Sequence, residues 1–214
     1  MKAKQVELSI IEIINKHASL QKAFKYVFFN NKNNYAPYHN LNHLLTVTKH
    51  VYFGLEFENL LNTKNAKELL LAAMFHDVNH SLGQKTDAEN IAVAKKSLLN
   101  FIRKEKIFAD VAFMFSAIEA TEYPYTVLSK DLDVFHKIIR DADMMQLFEL
   151  NWIQQSILGI SKEQNISLSK FIKGQQKFLA SVKFSSAYGK QMKKLKWAQL
   201  KKEIQLLEKI VVPQ

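Results

Sequence analysis

Leu69-Leu70-Leu71-Ala72-Ala73-Met74-Phe75-His76-Asp77 runs seven apolar residues straight into a histidine and an aspartate. The apolar run reads as a buried helix. An ionised carboxylate set against such a surface costs several kcal/mol unless it is partnered, and a divalent cation is the commonest remedy. The His76-Asp77 pair is therefore a candidate metal-binding dyad. Neighbours on an ideal helix point about 100° apart, so both reach one ion only from a helix end that faces a cleft. Gly83 and its loop suit such an end, and His80 lies one turn beyond His76.

Working outward, Tyr38-His39-Asn40-Leu41-Asn42-His43 places two histidines four residues apart, on one face if they share a helix. Phe28, Phe29, Tyr35 and Tyr38 would wall that region off from solvent. Downstream, Asp143 follows Ile138-Ile139 and precedes Met144-Met145, again a carboxylate in an apolar helix. Asp141 competes with it, but faces largely another way and could pair with Arg140 or Lys137.

The 214 residues fit one compact domain, 1–214. Five glycines and three prolines are too few for the many turns of an all-β fold. Long segments of helical period fill the chain instead, which makes the expectation all-α. Helices are expected at 4–29, 41–57, 64–76, 86–105, 108–121, 130–148, 150–160, 164–184 and 188–211. The breaks carry loop chemistry: Asn30 to Asn34 before Pro37, Asn62 to Asn65, Ser81 to Thr86, and Glu122 to Thr126 around Pro124. Thr86-Asp87-Ala88-Glu89 resembles a capping box.

No cysteine is present, so any metal must be held by imidazole and carboxylate, a donor set suited to Zn, Mn, Fe or Mg. The N-terminus is amphipathic, without the apolar core of a signal peptide. No stretch has the roughly 20 apolar residues that span a bilayer, so a cytoplasmic location without membrane attachment is expected. The net charge of +10 thickens at Lys190 to Lys202, where Leu195, Ile204, Leu207 and Ile210 keep an apolar helical face. That pattern is a solvated helix face, or a positive field that draws in anions such as nucleotides. Without an arginine cluster, no dedicated nucleic-acid surface is expected. Trp152 and Trp197 suit either a helix anchor or a homodimer face. His17, His50 and His136 read as structural or exposed, and Met144 and Met145 as core or pocket wall.

The order of these motifs resembles the HD-domain metal-dependent phosphohydrolases, an all-helical superfamily, and within it the class I cyclic-nucleotide phosphodiesterases. Tyr38-His39-Asn40-x-x-His43 and Phe75-His76-Asp77-x-x-His80 are similar to two of that branch's blocks. Glu89-Asn90, Ala120-Thr121-Glu122, Ala142-Asp143 and the weaker Gln175-x-x-Phe178 follow in the same order. The resemblance spans about residues 35–180. It implies His43, His76, Asp77 and Asp143 as ligands of one divalent ion, with Asp77 bridging to a second ion held mostly by water. It also implies His39 as general acid, and His80, Glu89 and Glu122 as residues that orient metal-bound water. Tyr38, Gln175 and Phe178 would contact substrate, the last two as a purine clamp, although Phe178 taken by itself reads as a core residue. The chain departs from the pattern at Ile91-Ala92, where the family has paired histidines, and it is shorter than those catalytic domains.

The expected activity is hydrolysis of a phosphoester in a small nucleotide-like substrate, a 3′,5′-cyclic nucleotide first among candidates. Two metals supply hydroxide near neutral pH and neutralise phosphoryl oxygens, and a histidine can protonate the leaving alkoxide. Rival readings are a 5′-nucleotidase or alarmone hydrolase with the same ligands, a di-iron oxygenase with additional histidine ligands, and a degenerate module that binds a partner.

Overall fold

A computed structural model describes residues 8–125 and 127–212. The start of the expected first helix, 4–7, and Thr126 of the expected break lie outside the described residues. Among the described residues every regular element is helical, and no helix is long and apolar enough to cross a membrane.

The expected helix at 4–29 is two: α1 (Ile10–Asn15) and α2 (Ala18–Asn30). His17 takes an extended conformation (φ −130°, ψ 104°) between them, which turns α2 back onto α1. Helices α3 (Leu41–Phe57) and α4 (Lys64–Phe75) fall where the sequence put them. They are followed by α5 (Asp87–Glu105), α6 (Val111–Glu119) and α7 (Val134–Asp143). Side-chain caps open α3 through Asn40, α6 through Asp110 and α7 through Asp133. Each satisfies a backbone N–H that the helix start leaves orphaned.

Beyond α7 the long expected segments break into shorter pieces. A 3-10 turn (Met144–Phe148) leads to a wide π-helical stretch (Ile153–Gly159) that runs into α8 (Ile160–Glu163). After these come α9 (Leu168–Ser181) and α10 (Ala187–Val211). Widened π turns are uncommon and recur at functional sites. This one packs against the loop before α3: a Cβ on Gly159 would lie 2.5 Å from the Pro37 carbonyl oxygen.

Two apolar clusters organise these elements. The first is built on α1 to α7, around Leu44, Val47, Leu69, Phe75 and Phe101. Helix α4 is its centre, buried on every side from Leu69 to Phe75, as expected of a helix that is apolar all round. The second begins at Met145 and joins Phe148, Trp152, Ile157, Ile172, Leu179 and Phe184 with Leu200 and Ile204 of α10. Phe53 packs against both clusters. The boundary between them falls at Asp143 and Met144, so the C-terminus of α7 sits at the seam.

Helix α10 corrects one expectation. Ile204 is buried, but Leu195 and Ile210 are 65% and 81% exposed, and Leu200 completes the inner face instead. Both tryptophans serve packing within the chain. Trp152 donates to Glu203 Oε2 at 2.8 Å, and Trp197 stacks edge-on against Phe148 and Phe184.

Candidate metal centre

Helix α4 ends at Phe75, and His76 and Asp77 leave it in a turn that closes at Asn79, which has a positive φ of 61°. That helix end is what allows two adjacent side chains to reach one point. His43 arrives from the first turn of α3, and Asp143 from the last residue of α7.

Four ligand-type atoms converge there. His43 Nε2 lies 3.2 Å from His76 Nε2, 3.3 Å from Asp77 Oδ2 and 3.2 Å from Asp143 Oδ1. His76 Nε2 lies 3.2 Å from Asp77 Oδ2 and 3.5 Å from Asp143 Oδ1. Ligands bound about 2.0–2.2 Å from a common ion stand roughly 3.0–3.5 Å apart in tetrahedral or adjacent octahedral positions. Each measured separation fits that spacing.

The protonation pattern supports the same conclusion. His76 Nδ1 is 2.8 Å from the Ala73 carbonyl, so the ring proton sits on Nδ1 and Nε2 offers a lone pair. Two buried lone pairs and two carboxylates facing one another require a cation between them. Without a metal that cation is a proton. Burial lowers the basicity of His43 and His76, but the Asp77 and Asp143 carboxylates outweigh it and raise both rings above the ordinary histidine range. The carboxyls respond in kind: burial opposes their charge, yet the histidines hold Asp143 at about 2 and Asp77 well below its usual range. His43 Nδ1 is buried without a hydrogen-bond partner among the described residues. The donor set of two imidazoles and two carboxylates fits a divalent ion of hard or borderline character.

The competition between the two aspartates is resolved. Asp141 turns the other way and accepts the Ser185 and Ser186 N–H groups at 2.8 and 2.7 Å, and the Ser186 hydroxyl at 2.7 Å. It anchors the start of α10, and Gly189 makes room for it: a Cβ there would lie 2.2 Å from Asp141 Oδ2.

His39 is not on α3 with His43. It lies in the loop before the helix, where Asn40 fixes its position. Asn40 accepts the His43 N–H at 3.0 Å, donates to the Ala36 carbonyl at 2.8 Å and pairs with Gln155 of the π-helical stretch. His39 Nδ1 lies 2.5 Å from Glu163 Oε2, and Nε2 lies 3.9 Å from Asp77 Oδ2. Glu163 Oε1 also accepts the Tyr38 and His39 backbone N–H groups at 2.7 and 2.9 Å. Glu163 was not legible in the sequence: it sits in the polar stretch Ser161-Lys162-Glu163-Gln164-Asn165, 124 residues from its partner. His39, His80 and Glu163 form a second group of ligand-type residues. The 2.5 Å His39–Glu163 contact is that of a strong hydrogen bond, and is shorter than two ligands of one ion ordinarily approach.

His80 stacks on His39 with ring centroids 3.6 Å apart. The Leu82 N–H donates to its Nδ1 at 3.1 Å, and the Asn90 amide lies 2.8 Å from Nε2. Both ring nitrogens are thus occupied. Burial, and then the neighbouring His39, lower its pKa to about 4. Asn90 also takes the Ser81 N–H, which ties α5 to the loop after the dyad.

A cavity of about 440 Å³ opens onto the centre. Tyr38, His39, Asp77 and Asp143 line one part of it, and Met144, Phe171, Gln175 and Phe178 another. Gln175 and Phe178 therefore share the cavity with the metal-type carboxylates. Three of the expected catalytic residues, His80, Glu89 and Glu122, do not line it. Glu89 is exposed and closes the capping box of α5, accepting the Thr86 N–H at 2.9 Å. Glu122 lines a separate cavity. Asp87, two residues before Glu89, does line it, as do Thr121 and Tyr123 on either side of Glu122. The remaining histidines have packing roles. His17 meets Tyr52 edge-on, His50 joins Glu149 and Tyr188, and His136 joins Asp133 and Ser116.

No protein-family model, curated protein or solved structure matches the chain.

Proposed function

We propose that the protein is a metal-dependent phosphohydrolase of the HD-domain type. In this reading it cleaves a phosphoester of a nucleotide-like substrate, with a 3′,5′-cyclic nucleotide as the first candidate. The observation that carries the reading is the meeting of His43, His76, Asp77 and Asp143, whose two carboxylates line a cavity together with His39. These four residues would hold one divalent ion, and Asp77 would be shared with a second. A divalent ion in such a site neutralises phosphoryl oxygens and makes water acidic enough to ionise near neutral pH.

The chain's own residues do the rest. Glu163 holds His39 through Nδ1, which leaves Nε2 turned toward Asp77, where it can protonate a departing alkoxide. Tyr38 closes the wall beside His43, with ring centroids 4.6 Å apart. Phe171, Phe178 and Leu147 give the cavity an apolar side that can bury a base. The di-iron oxygenase alternative needs further imidazole ligands, and His80 has both nitrogens engaged.

The test is hydrolysis of bis(4-nitrophenyl) phosphate and of 3′,5′-cyclic nucleotides by metal-loaded protein, with Gln175→Ala alongside. Gln175→Ala is expected to raise the KM for the cyclic nucleotide roughly tenfold while leaving the aryl diester nearly unchanged. Equal losses on both substrates would remove the cyclic-nucleotide assignment, and no turnover of either would remove the phosphohydrolase reading.

A further inference from the structure

The charge on the cavity wall does not follow the charge of the chain. The sequence has 30 basic residues, yet among the described residues Lys170 is the single lysine or arginine lining the cavity, and it is exposed. The two arginines are placed elsewhere. Arg103 is in the last turn of α5, and Arg140 is spent on the Ala120 and Val127 carbonyls and the Tyr125 ring. Beyond the Asp77 and Asp143 carboxylates, the wall carries a third, Asp87, which accepts the Tyr123 N–H at 2.6 Å.

Asp87 is also the first residue of α5. A helix N-terminus is ordinarily a ready anion site, but here the Thr86 hydroxyl takes the Glu89 N–H, Glu89 takes the Thr86 N–H, and Asp87 places a carboxylate in the first turn. A second phosphate on a bound substrate would find no arginine fork among the described residues and would face a carboxylate.

Building on the phosphohydrolase reading, we infer that the cavity accepts a substrate with a single phosphoryl group and an uncharged body, and that Asp87 is the residue that rejects a second phosphate. Specificity of this kind comes from a repulsive element as much as from an attractive one. It separates the mononucleotide-like substrates from alarmones and other polyphosphates, which the metal ligands alone do not.

The test uses two chromogenic esters with the same scissile bond: the 4-nitrophenyl ester of thymidine 5′-phosphate, and the same compound carrying an additional 3′-phosphate. With metal-loaded wild-type protein, the 3′-phosphate is expected to lower kcat/KM by about tenfold or more, equivalent to about 1.4 kcal/mol. Asp87→Asn should narrow the gap to within about threefold, chiefly by improving the doubly phosphorylated ester. Asp87→Glu keeps the charge and should keep the gap. Equal kcat/KM for the two esters in the wild-type protein, or an unchanged gap in Asp87→Asn at full metal content, would overturn the inference alone. Cleavage of neither ester would overturn the phosphohydrolase reading and this inference with it.

Discussion

His43 Nε2 and His76 Nε2 face each other at 3.2 Å, and the His76 ring is fixed by its Nδ1 contact with the Ala73 carbonyl at 2.8 Å. Helix α4 thus sets the tautomer of its own C-terminal histidine. The chain has invested a buried helix end, two imidazoles and two carboxylates in one point. Neither packing nor hydrogen bonding within the cluster explains that arrangement without a cation.

His39 stands outside the cluster and is held by Glu163, so its removal should spare the metal. His39→Ala is expected to keep its bound ion and lose about 10²-fold or more in kcat, the usual scale for a general acid. Glu163→Gln should lose less and shift the pH profile of kcat, because it changes the partner of Nδ1 without removing the ring. Loss of metal from His39→Ala, measured by elemental analysis, would make His39 a ligand instead.

Gly159 joins packing to function. A methyl group there collides with backbone, the Pro37 carbonyl, next to Tyr38 and His39. Gly159→Ala should destabilise the fold by about 1–3 kcal/mol in urea titrations, the usual cost of overpacking. It should also lower kcat with metal content intact, since the displaced loop carries His39. A variant with wild-type stability would show that the π-helical stretch shifts aside freely.

The four residues of the candidate metal centre were legible in the sequence because each lies in or beside an apolar run, where an unpartnered charge demands an explanation. Helices α3 and α4 were legible for a related reason: their apolar patterns are long and their breaks polar. Helix α10 falls within one residue of its expected start, but the stretch between α7 and α9 was not legible, because 3-10 and π geometry in Met144–Phe148 and Ile153–Gly159 is set by packing at the seam and not by residue type. Glu89 shows the limit of a motif. Its position after Thr86 admitted both a capping box and a catalytic carboxylate, and the local hydrogen bond to the Thr86 N–H took the side chain. The neighbour Asp87 then faces the cavity. Glu163 is invisible from spacing, since only the folded chain brings it to His39.

The Glu149 carboxylate offers a pH test away from the metal centre. Burial would raise its pKa, but hydrogen bonds from His50 and Lys49 hold it at about 2, against 4.5 for the free group. A depressed folded pKa contributes stability that is present above the unfolded value and lost as pH falls toward the folded one. Glu149→Gln should therefore be less stable than wild type by about 2 kcal/mol at pH 7, after allowance for partial solvent screening. The gap should shrink as pH falls below about 4.5. A gap that stays constant down to pH ~3.5 would show that the pair adds nothing through its charge.

The most direct test of the central claim is the metal content per chain of purified protein, measured after incubation with Zn, Mn, Fe or Mg and removal of free ions. At least one ion per wild-type chain is predicted, with loss of that ion in His76→Ala and in Asp143→Asn and its retention in Asp141→Asn. A wild-type chain that retains no divalent ion, or variants at His76 and Asp143 that retain as much as wild type, would contradict it.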